Sequence, residues 1–323
     1  PEHKQKLDSI QYKALKICTR ALYGTALTKL QIECGDPPLH SRRNFLCNLY
    51  GIKIKQHKSH PNKNIYSDCW QKQYFANKWS ANSNHTPFEA RSDPSSIDIL
   101  PLHNPFPYWH YTEPFISLEI HQNTLNKADF EKGSIATEII HTTWGNSLHI
   151  FTDGSRNPNT NTTGCGIHIP QLNYSKDIRL HNDASIFTAE LFAILLAVEW
   201  IENVQPINTC IFTDCLSAIQ ALSLPIPTNK IVCDIRHKLI SIHNQANHVS
   251  FEWIPGHCGI KGNEKADQIA KKATQKEKID LSFPLTDSEI KHHLNNQLKH
   301  KWQIEWNDTK NSGLKEIQPT VSL

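Results

Sequence analysis

The spacing of apolar residues changes along the chain, and between residues 146 and 276 it alternates between the periods of strands and helices. Short runs rich in β-branched and aromatic residues predict strands at 147–153, 164–172, 174–180, 208–214 and 248–254. Longer apolar runs predict helices at 188–201, 215–222, 229–244 and about 261–275. This order predicts an α/β fold with a five-stranded mixed sheet, three antiparallel strands and then parallel ones, flanked by helices.

Helical spacing also occurs at both ends of the chain. We expect a helical segment over residues 1–57, with helices at 8–21 and 41–55 on either side of a Gly-Asp-Pro-Pro turn. The apolar face expected for the first helix comprises Ile10, Ala14, Ile17 and Ala21. Over residues 277–323 we expect a basic amphipathic helix and a tail outside the α/β core. Its apolar residues recur every four positions, at Ile290, Leu294, Leu298 and Trp302.

Residues 58–145 show little periodicity and are rich in Pro, Ser and Asn, which predicts an irregular linker before the α/β domain. Four aromatic residues cluster in this linker, namely Phe106, Tyr108, Trp109 and Tyr111. Such side chains can stack on nucleic-acid bases or anchor a loop on a neighbouring domain. We favour the anchoring interpretation.

Composition restricts the class of protein. With 323 residues, 38% of them apolar and 20% charged, the chain is typical of a globular protein with one large or two ordinary domains. No apolar run approaches the roughly 18 residues of a membrane span, and no signal-peptide pattern opens the chain, so we expect an intracellular protein of the cytoplasm or nucleus. Nine cysteines without a C-x-x-C pair argue against a disulfide framework or a zinc knuckle. A net charge of +3 does not by itself indicate nucleic-acid binding.

Four acidic residues stand out in the predicted α/β domain: Asp153, Glu190, Asp214 and Asp267. Asp153 and Asp214 each end a predicted strand with the tripeptide Phe-Thr-Asp, and ligands of α/β proteins bind where strands end. Glu190 falls in the first turn of the buried helix between these strands, and Asp267 falls within the last helix. The four acids are therefore candidates for one site.

Each acid also has a purely structural explanation. Asp214 can cap the helix that follows it, and Glu190 can interact with the dipole of its own helix. Asp267 can pair with Lys271 one turn later. Several carboxylates at one buried spot, however, repel one another unless a cation is present, and all-oxygen ligation favours Mg²⁺ or Mn²⁺. Two such ions suit phosphodiester hydrolysis.

Four sequence blocks, in this order, resemble the type I RNase H family: IFTDGS (150–155), TAELFAILLAVEW (188–200), IFTDCLSAI (211–219) and WIPGHCGIKGNEKADQIA (253–270). The last block is the most specific, whereas a TDG tripeptide alone carries little weight. The resemblance implies an RNase H-like fold for residues 146–276. It also implies a metal-dependent endonuclease that cuts the RNA strand of an RNA/DNA hybrid.

The resemblance assigns a role to each acid. It implies that Asp153 bridges two Mg²⁺ ions, for which Mn²⁺ can substitute. It implies that Asp267 helps to hold the ion that activates the nucleophilic water, and that Glu190 and Asp214 hold the other ion. It further implies that His257, in a Pro-Gly-His loop, shuttles a proton and assists product release, since an imidazole ionises near neutral pH.

Recognition of the hybrid is expected from backbone and small polar groups that can reach a 2′-hydroxyl. The candidates are Gly154, Ser155, Asn157 and Asn263. Cellular members of the family grip the hybrid with a basic insertion, but residues 222–248 offer only scattered basic residues, Lys230, Arg236 and Lys238. We therefore expect affinity to depend on other domains.

The opening segment, residues 7–43, resembles the region that follows the polymerase in non-LTR retrotransposons of the jockey type. The sequence contains no Tyr/Phe-x-Asp-Asp polymerase signature and no methionine. We therefore expect a piece or a decayed copy of a retroelement polyprotein. Its expected partners are an RNA/DNA hybrid and the reverse transcriptase part of the parent polyprotein.

Three functions compete for this sequence. The leading hypothesis is a hybrid-specific endoribonuclease. The second is an RNase H-fold module that binds nucleic acid with weak or no catalysis, and the intact set of four acids argues against it. The third is another nuclease of RNase H-like fold, such as an integrase or a proofreading exonuclease, which does not fit the GNEKAD block around Asp267.

Overall fold

The computed structural model describes residues 2–56, 60–62, 113–245, 247–283, 285–309 and 313–322. Two compact units make up the chain, Pro1–Leu102 with Thr286–Leu323 and His103–Leu285. The four aromatic residues of the predicted linker cluster lie outside the described residues. In the part of the chain that is described, no helix combines the length and the apolar character needed to cross a membrane.

Within the described residues, the chain forms eleven α-helices and six strands, numbered here in chain order. The helices are α1 Glu2–Thr19, α2 Leu27–Cys34, α3 Leu39–Gln56, α4 Glu119–Thr124, α5 Asp129–Thr143, α6 Ile186–Val204, α7 Leu216–Ser223, α8 Lys230–Asn244, α9 Lys261–Thr274, α10 Asp287–Asp308 and α11 Leu314–Ile317. The strands are β1 Phe115–Ser117, β2 Leu148–Asn157, β3 Thr162–Ile169, β4 Tyr174–Leu180, β5 Asn208–Thr213 and β6 His248–Trp253.

One mixed sheet of six strands, in the order β1-β6-β5-β2-β3-β4, forms the centre of the larger unit. Strands β2, β3 and β4 are antiparallel, while β5, β6 and β1 extend the sheet from β2 in parallel. This confirms the predicted α/β fold with antiparallel strands followed by parallel ones. Strand β3 ends before the predicted residue 172, because Pro170 opens a short 3₁₀ turn, Pro170–Leu172.

The prediction of five strands is wrong by one, and the sixth strand lies inside the segment predicted to be an irregular linker. Strand β1 pairs in parallel with β6, with Ile116 opposite Phe251. Helices α4 and α5 follow it, so residues 113–145 are built into the larger unit. The three residues of β1 are too few to produce a recognisable period, and tertiary packing holds them in place.

Alternate residues of the central strands point to opposite faces of the sheet, as strand geometry requires. On one face Ile150 and Ile211 pack with α6, α7 and α8. On the other face Phe151 and Phe212 stack on each other, with ring centroids 4.9 Å apart, and pack with α5 and α9. Each large apolar side chain buried in these two cores contributes roughly 1.5–3 kcal/mol to stability.

Within the described residues, the smaller unit contains helices α1, α2, α3, α10 and α11. Helix α10 buries Ile290, Leu294, Leu298 and Trp302, the four residues expected on its apolar face. The face expected for α1 is wrong, because Ile10 and Ile17 are 63% and 78% exposed. The buried face instead carries Gln11, whose amide nitrogen donates to Asp36 Oδ2 at 2.8 Å. The buried residues of α1 thus include Leu15 and a glutamine bound to the turn between α2 and α3.

Candidate active site

Strand register places Asp153 beside Asp214. Strands β2 and β5 pair in parallel up to Thr152 opposite Thr213, so the next residue on each strand is one of these acids. Asp214 follows the end of β5, as predicted. Asp153 does not end its strand, because β2 continues to Asn157 by pairing with β3. The acids thus lie where β2 parts from β5.

Glu190 reaches the same place because helix α6 crosses β2 very closely. A Cβ atom added to Gly154 would lie 2.6 Å from the backbone nitrogen of Glu190, so only glycine permits this approach. The start of α6 is fixed by Ser185, whose hydroxyl accepts a hydrogen bond from the Thr188 backbone at 3.1 Å. The Glu190 side chain is buried, and its Oε2 atom has no hydrogen-bond partner among the described residues. Such an orphaned carboxylate oxygen suits a cation better than a helix dipole.

The three carboxylates form a cluster that contains no basic group to balance their negative charge. One ligand oxygen from each of Asp153, Glu190 and Asp214 lies within 4.8 Å of the others. Burial, followed by repulsion from Asp214 and Asp267, raises the pKa of Asp153 to about 8. Burial, followed by repulsion from Asp153 and Asp214, also raises the pKa of Glu190 well above its usual value. The donor set and the repulsion therefore fit a divalent cation with hard oxygen ligands.

Several groups hold Asp214 in place from outside the cluster. The Asn263 amide donates from Nδ2 to Asp214 Oδ2 at 3.1 Å, and the Trp253 indole donates from Nε1 to the Asp214 carbonyl at 3.0 Å. The N-cap of α7 is Cys215, so Asp214 does not serve as the helix cap that was one alternative. Sequence reasoning missed Trp253, although its position at the head of the WIPGHCG string was a signal.

Asp267 lies close to the cluster but does not belong to its tightly grouped oxygens. Its Oδ2 atom accepts a hydrogen bond from Lys271 Nζ at 2.7 Å, one helical turn away on α9. Its charge nevertheless contributes to the raised pKa of Asp153, and Lys271 lowers that pKa. Asp267 thus forms the ion pair with Lys271 and also lies close enough to Asp153 to affect its pKa.

His257 is exposed in the loop between β6 and α9, with a left-handed φ of 56°. This conformation is uncommon for a residue other than glycine and indicates that the surrounding chain constrains the loop. Next to it, a Cβ atom added to Gly256 would lie 2.8 Å from Asp214 Oδ2. The loop therefore passes directly over one of the clustered acids.

The residues expected to touch a hybrid occupy two different environments. Ser155 and Asn157 are half-buried on the part of β2 that extends past the acids. Gly154 is buried under α6, and Asn263 is 3% exposed and bound to Asp214. In this structure Gly154 packs against α6 and Asn263 binds Asp214, and the expected contacts of all four residues with a hybrid stay predictions.

Comparison with known proteins agrees with this geometry. The family model described as RNase H matches residues 145–275. The chain is 30% identical over 146 residues to a ribonuclease H of Ruthia magnifica subsp. Calyptogena magnifica, covering 41% of this chain and 97% of that protein. It is 27% identical over 143 residues to a ribonuclease H of Shewanella sp. (strain MR-4), covering 40% of this chain and 87% of that protein. Through a ribonuclease H domain at residues 145–275, this chain belongs to the RNase H family.

Proposed function

We propose that this protein is an endonuclease that hydrolyses the RNA strand of RNA/DNA hybrids by a two-metal-ion mechanism. The observation that carries the proposal is the buried cluster of Asp153, Glu190 and Asp214, which has the donor atoms and the excess negative charge that divalent ions require. The family relationship supports hybrid cleavage as the reaction. Mg²⁺ is the proposed ion, with Mn²⁺ as a substitute.

Asp153, Glu190 and Asp214 would hold the ions, and Asp153 would serve both of them. When bound, the two ions supply an activated water and stabilise the leaving 3′ oxygen of the scissile phosphate. Asp267 completes the ligand set, and Lys271 keeps its carboxylate beside the site. The hydrogen bonds that Asn263 and Trp253 donate to Asp214 keep its carboxylate oriented toward the other acids.

His257 carries a proton to or from the reacting groups. Its imidazole is exposed at the mouth of the site, on a loop whose Gly256 backbone borders Asp214. A solvent-exposed imidazole there can exchange protons with bulk water as the product leaves. Ser155 and Asn157, on the part of β2 that extends past the acids and pairs with β3, are the proposed contacts to sugar hydroxyls.

A second candidate is a nucleic-acid-binding module with weak catalysis. The observation in its favour is the ion pair between Asp267 and Lys271, since it keeps a ligand carboxylate occupied by a lysine. Such a protein would bind the hybrid whether or not Mg²⁺ is present, and would cut it slowly or not at all.

A gel assay with an end-labelled RNA/DNA hybrid in Mg²⁺ separates the two candidates. We expect the full chain to cut the RNA strand and Asp214→Asn to lower the rate at least about 100-fold. The matched control is Asp234→Asn, an acid on α8 whose partner is Lys230, and it should cut within about twofold of wild type. Equal cutting by wild type and Asp214→Asn, or cutting of duplex DNA as fast as hybrid, would disprove the nuclease proposal.

We also propose that the chain derives from a non-LTR retroelement polyprotein, with residues 1–57 from the region after the polymerase and residues 277–323 as a further appendage. The resemblance of residues 7–43 to that region supports this origin. Sequencing the transcript upstream of the segment tests it. A polymerase with a Tyr/Phe-x-Asp-Asp signature in the same reading frame supports the proposal, and an unrelated upstream reading frame refutes it.

A further inference from the structure

Helix α5 lies before the residues that match the RNase H family, yet it packs against the loop that carries His257. A Cβ atom added to Gly133 would lie 1.9 Å from the carbonyl oxygen of Cys258 and 3.0 Å from its carbonyl carbon. Only a glycine leaves room for the loop backbone at this point. The helix and the loop are therefore in direct backbone contact.

The opposite side of the same loop borders the acidic cluster. A Cβ atom added to Gly256 would lie 2.8 Å from Asp214 Oδ2. The loop is thus enclosed between α5 at Cys258 and Asp214 at Gly256, with His257 between the two contact points. A shift of the loop away from α5 must therefore change the distance from the loop to Asp214, the position of His257, or both.

Both ends of the loop are also fixed by α5. Ile254 and Ile260, which flank the loop, are buried in the same core as Ala136 and Ile140 of α5 and Trp144 just after it. The loop of residues 255–259 therefore leaves and rejoins a core to which α5 contributes together with the sheet and α9. Because both flanking residues are buried in a close-packed core, the loop has little freedom to change its conformation.

A separate contact anchors α5 to the sheet. The Trp144 indole donates from Nε1 to Glu252 Oε2 at 3.3 Å, and the Ile120 backbone donates to Glu252 Oε1 at 3.2 Å. Glu252 is fully buried in β6, two residues before Ile254. One buried carboxylate thus ties α4 and the end of α5 to the strand that leads into the loop.

We propose that α5, through Gly133, is a positioning element that sets the His257 loop over Asp214, so that residues 129–143 are part of the catalytic unit. The proposal rests on the proposed function, since it assigns Gly133 a role in hybrid cleavage. It predicts that the family-matched region alone is an incomplete nuclease in this chain. Gly133 is a positioning residue and touches neither substrate nor metal.

The test is Gly133→Ala in the full chain, assayed on a labelled RNA/DNA hybrid in Mg²⁺. Alanine is the better helix former, so a loss of activity comes from the collision with Cys258 and not from a weaker helix. We expect kcat to fall about tenfold or more, while the Kd for the hybrid in Ca²⁺ changes less than about twofold, because the acids and the β2 contacts stay in place. In a His257→Ala background the same change should cost less than about twofold further.

The control is Gly313→Ala, in the other compact unit, where an added Cβ atom would meet nothing within 4 Å. It should leave kcat within about twofold. Hydrogen exchange of the peptide 254–260 gives a readout without catalysis, and Gly133→Ala should speed its exchange whereas Gly313→Ala should not.

The outcomes separate the two proposals. If wild type does not cut the hybrid, the proposed function fails, and the exchange data still decide whether α5 holds the loop. If wild type cuts and Gly133→Ala keeps both kcat and slow exchange, the positioning role is disproved. Should Gly133→Ala not fold, Trp144→Phe removes the indole donor to Glu252 and leaves a smaller aromatic ring in the core. We expect this variant to lower kcat about threefold and to leave the Kd for the hybrid nearly unchanged. Unchanged kcat together with unchanged exchange of the peptide 254–260 would overturn the proposal.

Discussion

Asn263 and Asp214 are joined by a hydrogen bond of 3.1 Å from the amide Nδ2 atom to the carboxylate Oδ2 atom. Asn263 is buried in the first turn of α9, and its Oδ1 atom has no hydrogen-bond partner among the described residues. The amide is therefore oriented by this single contact to the acid. The hydrogen bond makes the orientation of Asp214 depend on α9, while the hybrid contact expected for Asn263 from the sequence stays a prediction.

Removing the amide should impair the site without unfolding the protein. For Asn263→Ala we expect kcat to fall about 10–100-fold, the range typical of a lost partner of a metal ligand. Mg²⁺ affinity, measured by calorimetry, should fall with it. Asn203→Ala is the matched control, because Asn203 Nδ2 donates only to the Glu199 carbonyl on the exposed side of α6. Equal rates for the two variants would show that Asn263 does not support Asp214.

The raised pKa of Asp153 predicts that stability depends on pH in the absence of metal. An aspartate in the unfolded chain ionises near pH 4, whereas the folded site retains its proton up to a pKa of about 8. Between about pH 4 and pH 8 the unfolded chain therefore binds fewer protons than the folded one, and stability falls as the pH rises through this window. Glu190, with its pKa raised, acts in the same direction.

Urea unfolding at pH 5, 6.5 and 8 in EDTA measures this effect. Compared with Asp153→Asn, which has no proton to lose, wild type should lose about 1–3 kcal/mol of additional stability between pH 5 and pH 8. Saturating Mg²⁺ should restore most of the loss at pH 8 in wild type only. Parallel pH profiles for wild type and Asp153→Asn would contradict the assignment.

The sequence predicted that the four acids form one site, but the positions of Asp153 and Asp214 relative to each other depend on how their strands pair. Phe-Thr-Asp was correctly interpreted as the end of β5. The same tripeptide did not end β2, because the polar residues 154–157 continue the strand through backbone hydrogen bonds to β3, which do not depend on side-chain pattern. The sequence also named Lys271 as an alternative partner of Asp267, and that pair is present.

Tertiary contacts explain what the sequence pattern missed before residue 145. Helix α5 contains Gly133 and several β-branched residues, which are weak helix formers, so its local signal is low. Its inward face, with Ala136 and Ile140, is recognisable only against Phe151 and Phe212 of the sheet. Similarly, the buried Gln11 of α1 donates a hydrogen bond to Asp36 and accepts one from Gln31. The spacing of apolar residues does not predict such contacts.

Lys271 should weaken metal binding while it holds Asp267. Its ammonium group lowers the pKa of Asp153 and therefore also opposes a cation at the same site. We expect Lys271→Ala to raise Mg²⁺ affinity about two- to fivefold at pH 8.5, the size typical of removing a partly exposed charge. Lys272→Ala, the adjacent exposed lysine on α9, serves as the control and should change affinity less. Calorimetric titration with Mg²⁺ alone measures both, and equal or weaker binding by Lys271→Ala would refute the expectation.

Glu252 should carry more stability than any exposed acid of the unit, because it is fully buried and accepts hydrogen bonds on both oxygens. Glutamine offers one acceptor oxygen and sets an amide N–H₂ against the Trp144 indole or the Ile120 backbone, so one donor loses its partner. We expect Glu252→Gln to lower the free energy of unfolding by about 1–3 kcal/mol in urea. Glu277→Gln, an exposed acid after α9, should stay within about 0.5 kcal/mol of wild type. If Glu252→Gln were as stable as Glu277→Gln, then apolar packing of Trp144 and Ile120 alone would hold α4 and α5 on the sheet.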